Sequence, residues 1–167
     1  MPELFETKIR CVDLAEVRKR LIDAGGSLDT FVDQRDTYFQ VSVGWLKLRI
    51  SVDTAQLVAY HRHQGPDRSC TYITIDVTDP DLCRNVFGVL LGVRVDVVKT
   101  REKWKLDSTI VHLDEVAGLG AFVELETAVV PGMQADIAHR QHRQSLALET
   151  EPDIPTSYAD LLLDLSH

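Results

Sequence analysis

The sequence predicts an α+β fold whose strands form a barrel or a strongly curved sheet. Three observations carry that expectation. Alternation of apolar and polar residues, the period-2 signature of a strand, recurs in eight stretches. Only three helical segments and a short final one interrupt the strands. Charged residues also collect on one face of successive strands, opposite apolar residues. Eight strands in so short a chain suit closure or strong curvature better than a flat open sheet.

The expected strands are Leu4–Val12, Arg35–Val41, Trp45–Val52, Gln56–His63, Cys70–Thr78, Val95–Leu106, Thr109–Val116 and Ala121–Val130. The first helix opens at Asp13-Leu14-Ala15-Glu16, a capping-box spacing, and stops at Gly25-Gly26. Leu14, Val17, Leu21 and Ile22 would form its apolar stripe. The second opens at Thr78-Asp79-Pro80, with proline in the first turn, and ends near Gly92. The third follows Pro131-Gly132 and runs to about Leu148, and a final helix spans about Ser157–Leu165.

A chain of 167 residues, 44% hydrophobic, suits one globular domain, expected over residues 1–167. No internal repeat or interdomain linker is evident. No apolar run approaches the roughly 20 residues that span a membrane. The opening Met1-Pro2-Glu3-Leu4-Phe5-Glu6 lacks the basic and apolar regions of a secretory signal, so a cytoplasmic location is expected. Cys11, Cys70 and Cys83 are odd in number and form no CxxC pair, which speaks against a disulfide framework or structural zinc. The net charge of −8 argues against nucleic acid or an anionic membrane as a partner. Local clusters of Lys and Arg are therefore informative.

Side chains two apart on a strand share a face. By that rule Glu6 and Lys8 oppose Phe5, Ile9 and Cys11, and Lys47 and Arg49 oppose Leu46, Leu48 and Ile50. Lys99 and Arg101 oppose Val98 and Trp104, while Glu124 and Glu126 oppose Val123, Leu125 and Val129. Arg62 ends a strand, and Asp114 shares a face with His112. One explanation is an ordinary sheet with its polar face in water. The other is a curled sheet whose charges converge inside, with helices over the apolar outer face. Converging charges need compensation. An anion held by Lys and Arg, beside carboxylates suited to a hard divalent cation, supplies it. That combination is what phosphoryl chemistry requires.

Several weaker signals stand beside these. His61 and His63 share a strand face at a metal-compatible spacing, but no third ligand is evident and a polar strand end is the expected reading. His139 and His142 sit three apart on the third helix and are expected on a solvated face. Trp45, Tyr72 and Tyr158 suit contact with a base or a tunnel mouth, though packing is the commoner use. There is no nucleophilic serine motif, P-loop or dinucleotide fingerprint.

An ordered series of motifs carries a resemblance over nearly the whole chain. It runs from Phe5-Glu6-Thr7-Lys8 through Gln34-Arg35-Asp36-Thr37-Tyr38-Phe39, Gly44-Trp45-Leu46-Lys47-Leu48-Arg49 and Val98-Lys99-Thr100-Arg101. It continues with His112-Leu113-Asp114-Glu115-Val116, Gly118-Leu119-Gly120-Ala121-Phe122-Val123-Glu124-Leu125-Glu126 and Ser157-Tyr158-Ala159-Asp160-Leu161-Leu162. The chain resembles the CYTH, or triphosphate tunnel metalloenzyme, superfamily, and within it the bacterial class IV adenylyl cyclase-like branch. The resemblance implies an eight-stranded antiparallel barrel that hydrolyses triphosphates or cyclises ATP. It implies phosphate binding by Lys8, Lys47, Arg49, Arg62, Lys99 and Arg101, and metal binding by Glu6, Asp114, Glu124 and Glu126. Glu6, Lys8 and Glu126 would be catalytic, and the cofactor Mg²⁺ or Mn²⁺. The expected partner is a small phosphorylated anion such as ATP or tripolyphosphate, and a homodimer is compatible with such barrels. Two departures stand out. The family's Glu-x-Glu-x-Lys opening has Leu4 at its first acid, and Thr74 stands where relatives carry a Glu, leaving Asp76. These thin the acidic half of the site and leave open a repurposed pocket for another anionic metabolite, with weak or no metal dependence.

Overall fold

The computed structural model describes residues 4–11, 13–62 and 70–166, with only the backbone described at residues 4, 61–62 and 70–72. Twelve elements follow one another: β1 (Leu4–Cys11), α1 (Leu14–Asp23), β2 (Ser27–Phe39), β3 (Trp45–Ile50), β4 (Ala55–Arg62), β5 (Cys70–Asp76), α2 (Pro80–Leu91), β6 (Val93–Leu106), β7 (Thr109–Val116), β8 (Gly120–Ala128), α3 (Ala135–Ser145) and α4 (Tyr158–Asp164). The strands form one eight-stranded antiparallel sheet in the order β1-β8-β7-β6-β2-β3-β4-β5. The α+β class and the strand count agree with the sequence reading. The chain divides into two compact units, Met1–Val32 with Thr100–Ser157, and Asp33–Lys99 with Tyr158–His167.

In the first unit the strand alternation becomes a two-sided sheet. Register sets Ile9 opposite Val123 and Thr7 opposite Leu125, and Val111 opposite Leu125 with Leu113 opposite Val123. These odd positions form one buried face. With Val17 and Leu21 of α1, Trp104, Leu106, Leu146 and Leu148 they make the hydrophobic core. The even positions lie on the reverse face, where Glu6 faces Glu126 and Lys8 faces Glu124 across β1 and β8. One ladder thus separates greasy from charged residues, because a strand can do so only by parity.

α1 starts where the capping-box spacing places it, with the Glu16 amide donating to the Asp13 side chain at 3.1 Å. Its stripe is narrower than expected. Val17 and Leu21 are buried, but Ile22 is exposed, because one residue beyond Leu21 turns about 100° away from the core. In α2, Asp79 accepts from the Leu82 amide at 2.9 Å and Pro80 occupies the first turn.

Two expectations are corrected. β2 begins at Ser27, eight residues before Arg35. Its first half is exposed on both faces, so no apolar alternation marks it. Asp29 instead pairs with Lys105 at 2.5 Å and Lys103 at 3.5 Å. The second correction concerns α3. His139 is buried, with its two ring nitrogens 3.0 Å from Thr7 Oγ1 and 2.8 Å from Thr127 Oγ1. Thr127 and Thr109 hydroxyls bond at 2.7 Å, and Thr109 reaches His142 Nδ1 at 2.7 Å. The histidines therefore dock α3 onto the threonines of the odd face and do not sit in water. Threonine at these positions reads as strand propensity, which hides its role as a hydrogen-bond partner.

In the second unit Leu48 and Phe39 are buried, and the Phe39 and Phe87 rings meet at 5.6 Å, joining β2 to α2. Beneath α2, Asp96 accepts from Thr37 Oγ1 at 2.5 Å and from Arg84 at 2.9 Å. Gly92 ends α2 at φ +82, a conformation glycine adopts without a Cβ penalty, and its carbonyl accepts from the Gln40 amide at 3.0 Å.

Burial lowers the pKa of His139, aided by the charges of Arg143 and His142. A base with a depressed folded pKa adds stability above its unfolded pKa of roughly 6.5 and loses it as pH falls through the folded value. The thermal midpoint should therefore drop between about pH 7.5 and pH 5.5 more steeply in the native protein than in His139→Gln. Parallel pH profiles of the two proteins would remove His139 from the acid sensitivity.

Candidate anion and metal site

The charged face of the first unit is built by β1, β7 and β8 together with Arg101 of β6. Arg101 forks Asp114, donating from Nε to Oδ1 at 2.7 Å and from Nη2 to Oδ2 at 2.5 Å. The same Nη2 donates to Glu124 Oε2 at 2.6 Å. Lys8 Nζ lies 3.4 Å from Glu124 Oε1 and donates to the Thr156 carbonyl at 3.0 Å. Asp114 is completely buried and Glu124 nearly so. Such carboxylates stay charged inside a protein only with close partners. Four of the expected site residues, Lys8, Arg101, Asp114 and Glu124, thus form one ion-paired cluster.

Glu126 is set differently. His112 Nε2 lies 3.4 Å from Glu126 Oε2. That imidazole holds the Glu126 carboxyl below the usual carboxylate range, against desolvation, which pushes it up. His112 is buried, and its Nδ1 has no hydrogen-bond partner among the described residues. Glu6 faces Glu126 across the ladder and is exposed.

Carboxylate oxygens are the donors a hard divalent cation prefers. No three acidic, His or Cys side chains among the described residues come together as a ligand set, however. The oxygens of Asp114 and Glu124 are turned to Arg101 and Lys8 instead. As arranged, Glu6, Asp114, Glu124 and Glu126 share a face without forming a metal site.

The second unit repeats the pattern around one acid. Buried Asp36 of β2 accepts from Arg49 Nε at 2.8 Å, Arg49 Nη2 at 2.7 Å and Lys47 Nζ at 2.9 Å. Register makes this possible, since Asp36 faces Arg49 and Tyr38 faces Lys47. Burial pushes the Asp36 carboxyl up, but the Arg49 hydrogen bonds and the charges of Lys47 and Arg49 outweigh it and hold it well below the carboxylate range. Aromatic rings surround Lys47, whose Nζ sits 5.3 Å from the Tyr38 ring centre and 5.8 Å from that of Tyr60. Burial, with Tyr60 nearby, pushes the Tyr38 phenol well above its ordinary pKa.

Trp45 stacks on Tyr60 at 6.1 Å, and the Arg94 guanidinium covers Trp45 at 4.7 Å. Lys99 is buried against the Tyr158 ring at 5.0 Å. Trp45 and Tyr158 are thus packing partners of cations in this arrangement. The side chains of Arg62, His61 and Tyr72, and residue His63, lie outside the described residues. Thr74 and Asp76 are exposed on β5, where Asp76 accepts from Gln56 at 2.9 Å.

Sequence reasoning gave no role to Asp36, Arg94 or Thr156. Asp36 had a signal, since it shares a strand face with Tyr38 and precedes a basic pair on the next expected strand. The Thr156 carbonyl had none, because a backbone acceptor in a loop leaves no trace in residue type.

A CYTH domain matches residues 4–158, and the chain belongs to that family. No curated protein matches it. Among solved structures, a Pyrococcus horikoshii protein superposes with a TM-score of 0.82 at 21% identity, over 95% of this chain and 99% of its own. A candidate adenylate cyclase from Vibrio parahaemolyticus gives a TM-score of 0.69 at 15% identity, over 96% and 97% of the two chains. A candidate adenylyl cyclase from Hippeastrum, described as having a dominant triphosphatase activity, gives 0.71 at 13%, over 98% and 96%. Identities this low establish the shared fold.

Asp36→Asn keeps the shape and removes the charge that orients Lys47 and Arg49. It should lower unfolding free energy in urea by about 1–3 kcal/mol near neutral pH. An unchanged midpoint would show that Asp36 is not the anchor of the trio.

Proposed function

We propose that this chain is a cytoplasmic CYTH enzyme of one domain, residues 1–167, that binds a triphosphate or a related phosphorylated anion and depends on Mg²⁺ or Mn²⁺. In this reading the sheet closes as an eight-stranded barrel with the charged face inward. One observation carries it most directly. The basic side chains are held in place by buried carboxylates, Lys47 and Arg49 by Asp36, and Arg101 and Lys8 by Asp114 and Glu124. Solvated surface lysines and arginines need no such anchoring, whereas an anion site gains from cations whose rotamers are already fixed.

Lys8, Lys47, Arg49, Arg62, Lys99 and Arg101 would hold the phosphate oxygens, Arg by paired N–H donors. Glu6, Lys8 and Glu126 would act at the reacting phosphorus, and Glu6, Asp114, Glu124 and Glu126 would face the cation. The cation's contribution is to neutralise the charge developing on phosphate oxygens. In cyclisation the ribose 3′ oxygen of ATP bonds to the α-phosphorus, its proton leaves to a base, and pyrophosphate departs. In hydrolysis a water oxygen bonds to the terminal phosphorus as the bond from that phosphorus to its bridging oxygen breaks; the water proton leaves to a base, the chain shortened by one phosphate departs, and the attacked group becomes orthophosphate. Membership of the family supports either outcome. The scattered carboxylates, with Leu4 and Thr74 in place of acids, favour as a second reading a repurposed pocket that handles another anionic metabolite with little metal dependence.

Purified protein incubated with ATP, tripolyphosphate or thiamine triphosphate, with and without Mg²⁺ or Mn²⁺, should give metal-dependent products. Cyclic nucleotide with pyrophosphate identifies a cyclase, and orthophosphate a triphosphatase. Inertness toward all three with either metal would leave the second reading. Glu126→Gln should abolish metal-dependent turnover with the fold intact by circular dichroism, and unaltered turnover would remove Glu126 from the chemistry. Arg49→Ala should weaken anion binding by about 1.5–3 kcal/mol in calorimetry, and equal affinity would count against its role.

A further inference from the structure

We infer that the exposed apolar face of α2, with the bare outer face of β5 beside it, is the interface of a homodimer in which the α2 helices of two copies pack antiparallel about a two-fold axis. This holds or fails independently of the proposed anion chemistry.

α2 has no buried residue. Leu82, Val86, Val89 and Leu90 are exposed by 58%, 44%, 86% and 72%. Their spacing of i, i+4, i+7 and i+8 makes them one stripe. The opposite side holds the helix to the sheet, with Arg84 on Asp96 at 2.9 Å and the Phe87 ring on Phe39 at 5.6 Å. The stripe therefore faces away from its own sheet, the reverse of what burial in a single chain requires. The sheet beside α2 is bare in the same way. Phe39 pairs with Leu46, Leu46 with Ala59, and Ala59 with Ile73, while Leu48 pairs with Leu57 and Leu57 with Ile75. Directly opposed residues share a face, so all of these lie on the face α2 packs against. Ile73 and Ile75 are nonetheless 61% and 58% exposed. β5 lies two strand spacings beyond β3, roughly 10 Å, which is the width one further packed helix takes.

Charge, area and symmetry point to a second copy of this chain as the occupant. Arg84 is the single basic residue of α2 and is tied to Asp96, whereas Asp76, Asp79 and Asp81 are exposed around the stripe. An anionic lipid surface needs the opposite, a basic rim. Two chains of net charge −8 repel, so they can meet only through a surface nearly free of charge, which the stripe is. Six large apolar side chains, each more than two-fifths exposed, offer roughly 600 Å², most of the roughly 800 Å² that a standard interface buries on each partner. A two-fold axis lets the α2 of each copy lie over the Ile73 and Ile75 side of the other, so one contact is made twice. Asn85, exposed at the edge of the stripe, carries an amide that both donates and accepts and so can pair with its own copy. A polar residue beside an apolar helix seam fixes register. Antiparallel packing also keeps the two acidic N-termini apart and sets each near the partner's C-terminal end.

Sedimentation velocity across the micromolar range, with light scattering for mass, tests the interface on native protein, Val89→Glu, Ile75→Glu and Ile22→Glu. Native protein should reach twice the 18.8 kDa of one chain. Val89→Glu on α2 and Ile75→Glu on β5 should each weaken the dimer by about tenfold or more, with circular dichroism unchanged. Ile22→Glu puts the same charge on an equally exposed apolar residue of α1, in the first unit, and should leave the dimer intact. Native protein that stays monomeric throughout overturns the inference, and flotation of that monomer with phosphatidylserine vesicles would assign the stripe to a membrane instead. A dimer that persists in the folded Val89→Glu and Ile75→Glu proteins lies on another face and overturns it equally. So does a dimer lost just as readily in Ile22→Glu. The two interface variants sit on separate elements, so either decides the matter should the other fail to fold.

Discussion

The ion pairing of Arg101 with Asp114 and Glu124 is the constraint on which the charged face depends. Two carboxylates with almost no exposure cannot remain ionised in a protein interior alone, and protonating them would remove the acceptors that orient Arg101. Their pairing lets one strand face be charged while its reverse is packed with Ile9, Val111, Val123 and Leu125. The same parity that makes the core makes the site, and a one-residue slip of β8 would exchange them.

Asp36 performs the corresponding task in the second unit. It takes three donors from Lys47 and Arg49 and has little contact with water. Each unit thus uses the same device, a buried acid in contact with the cations it holds. Such an acid costs stability relative to an apolar core; under the proposed function its return would be preorganisation, since the cations have already lost the rotamer freedom an anion would otherwise have to quench.

Much of this was legible before any coordinates. Strand parity places Lys8, Lys47, Arg49, Arg101, Glu124 and Glu126 each on the polar face of its own strand, because that sorting needs only the strand and not its partners. The register that brings Asp36 to Arg49 was not legible, since pairing between strands is decided by turns and packing far from either residue. The first half of β2 is not legible because its apolar residues Leu28, Phe31 and Val32 do not alternate with polar ones and Leu28 and Phe31 are exposed, so hydrophobic periodicity carries no information there. His139 and His142 were misplaced for a related reason. Their partners, Thr109 and Thr127, look like ordinary strand residues, and buried polar contacts between helix and sheet leave no pattern at helical spacing. The expected metal ligands rest on residue type and the family resemblance, which do not say what their carboxylate oxygens contact in the fold.

The internal pairing also affects how far the site can be felt. Lys8 and Arg101 are cancelled by Asp114 and Glu124, and Asp36 cancels one of Lys47 and Arg49. Among Lys8, Arg101, Lys47 and Arg49, three of the four positive charges are therefore balanced at contact distance, in a chain of net charge −8. Attraction begins only when an anion is near enough to take hydrogen bonds, well inside a Debye length of roughly 8 Å. Were this face to take an anion, as proposed, association would owe little to electrostatic steering and vary little with ionic strength. Selectivity would then reside in how many donors a ligand can take over at once.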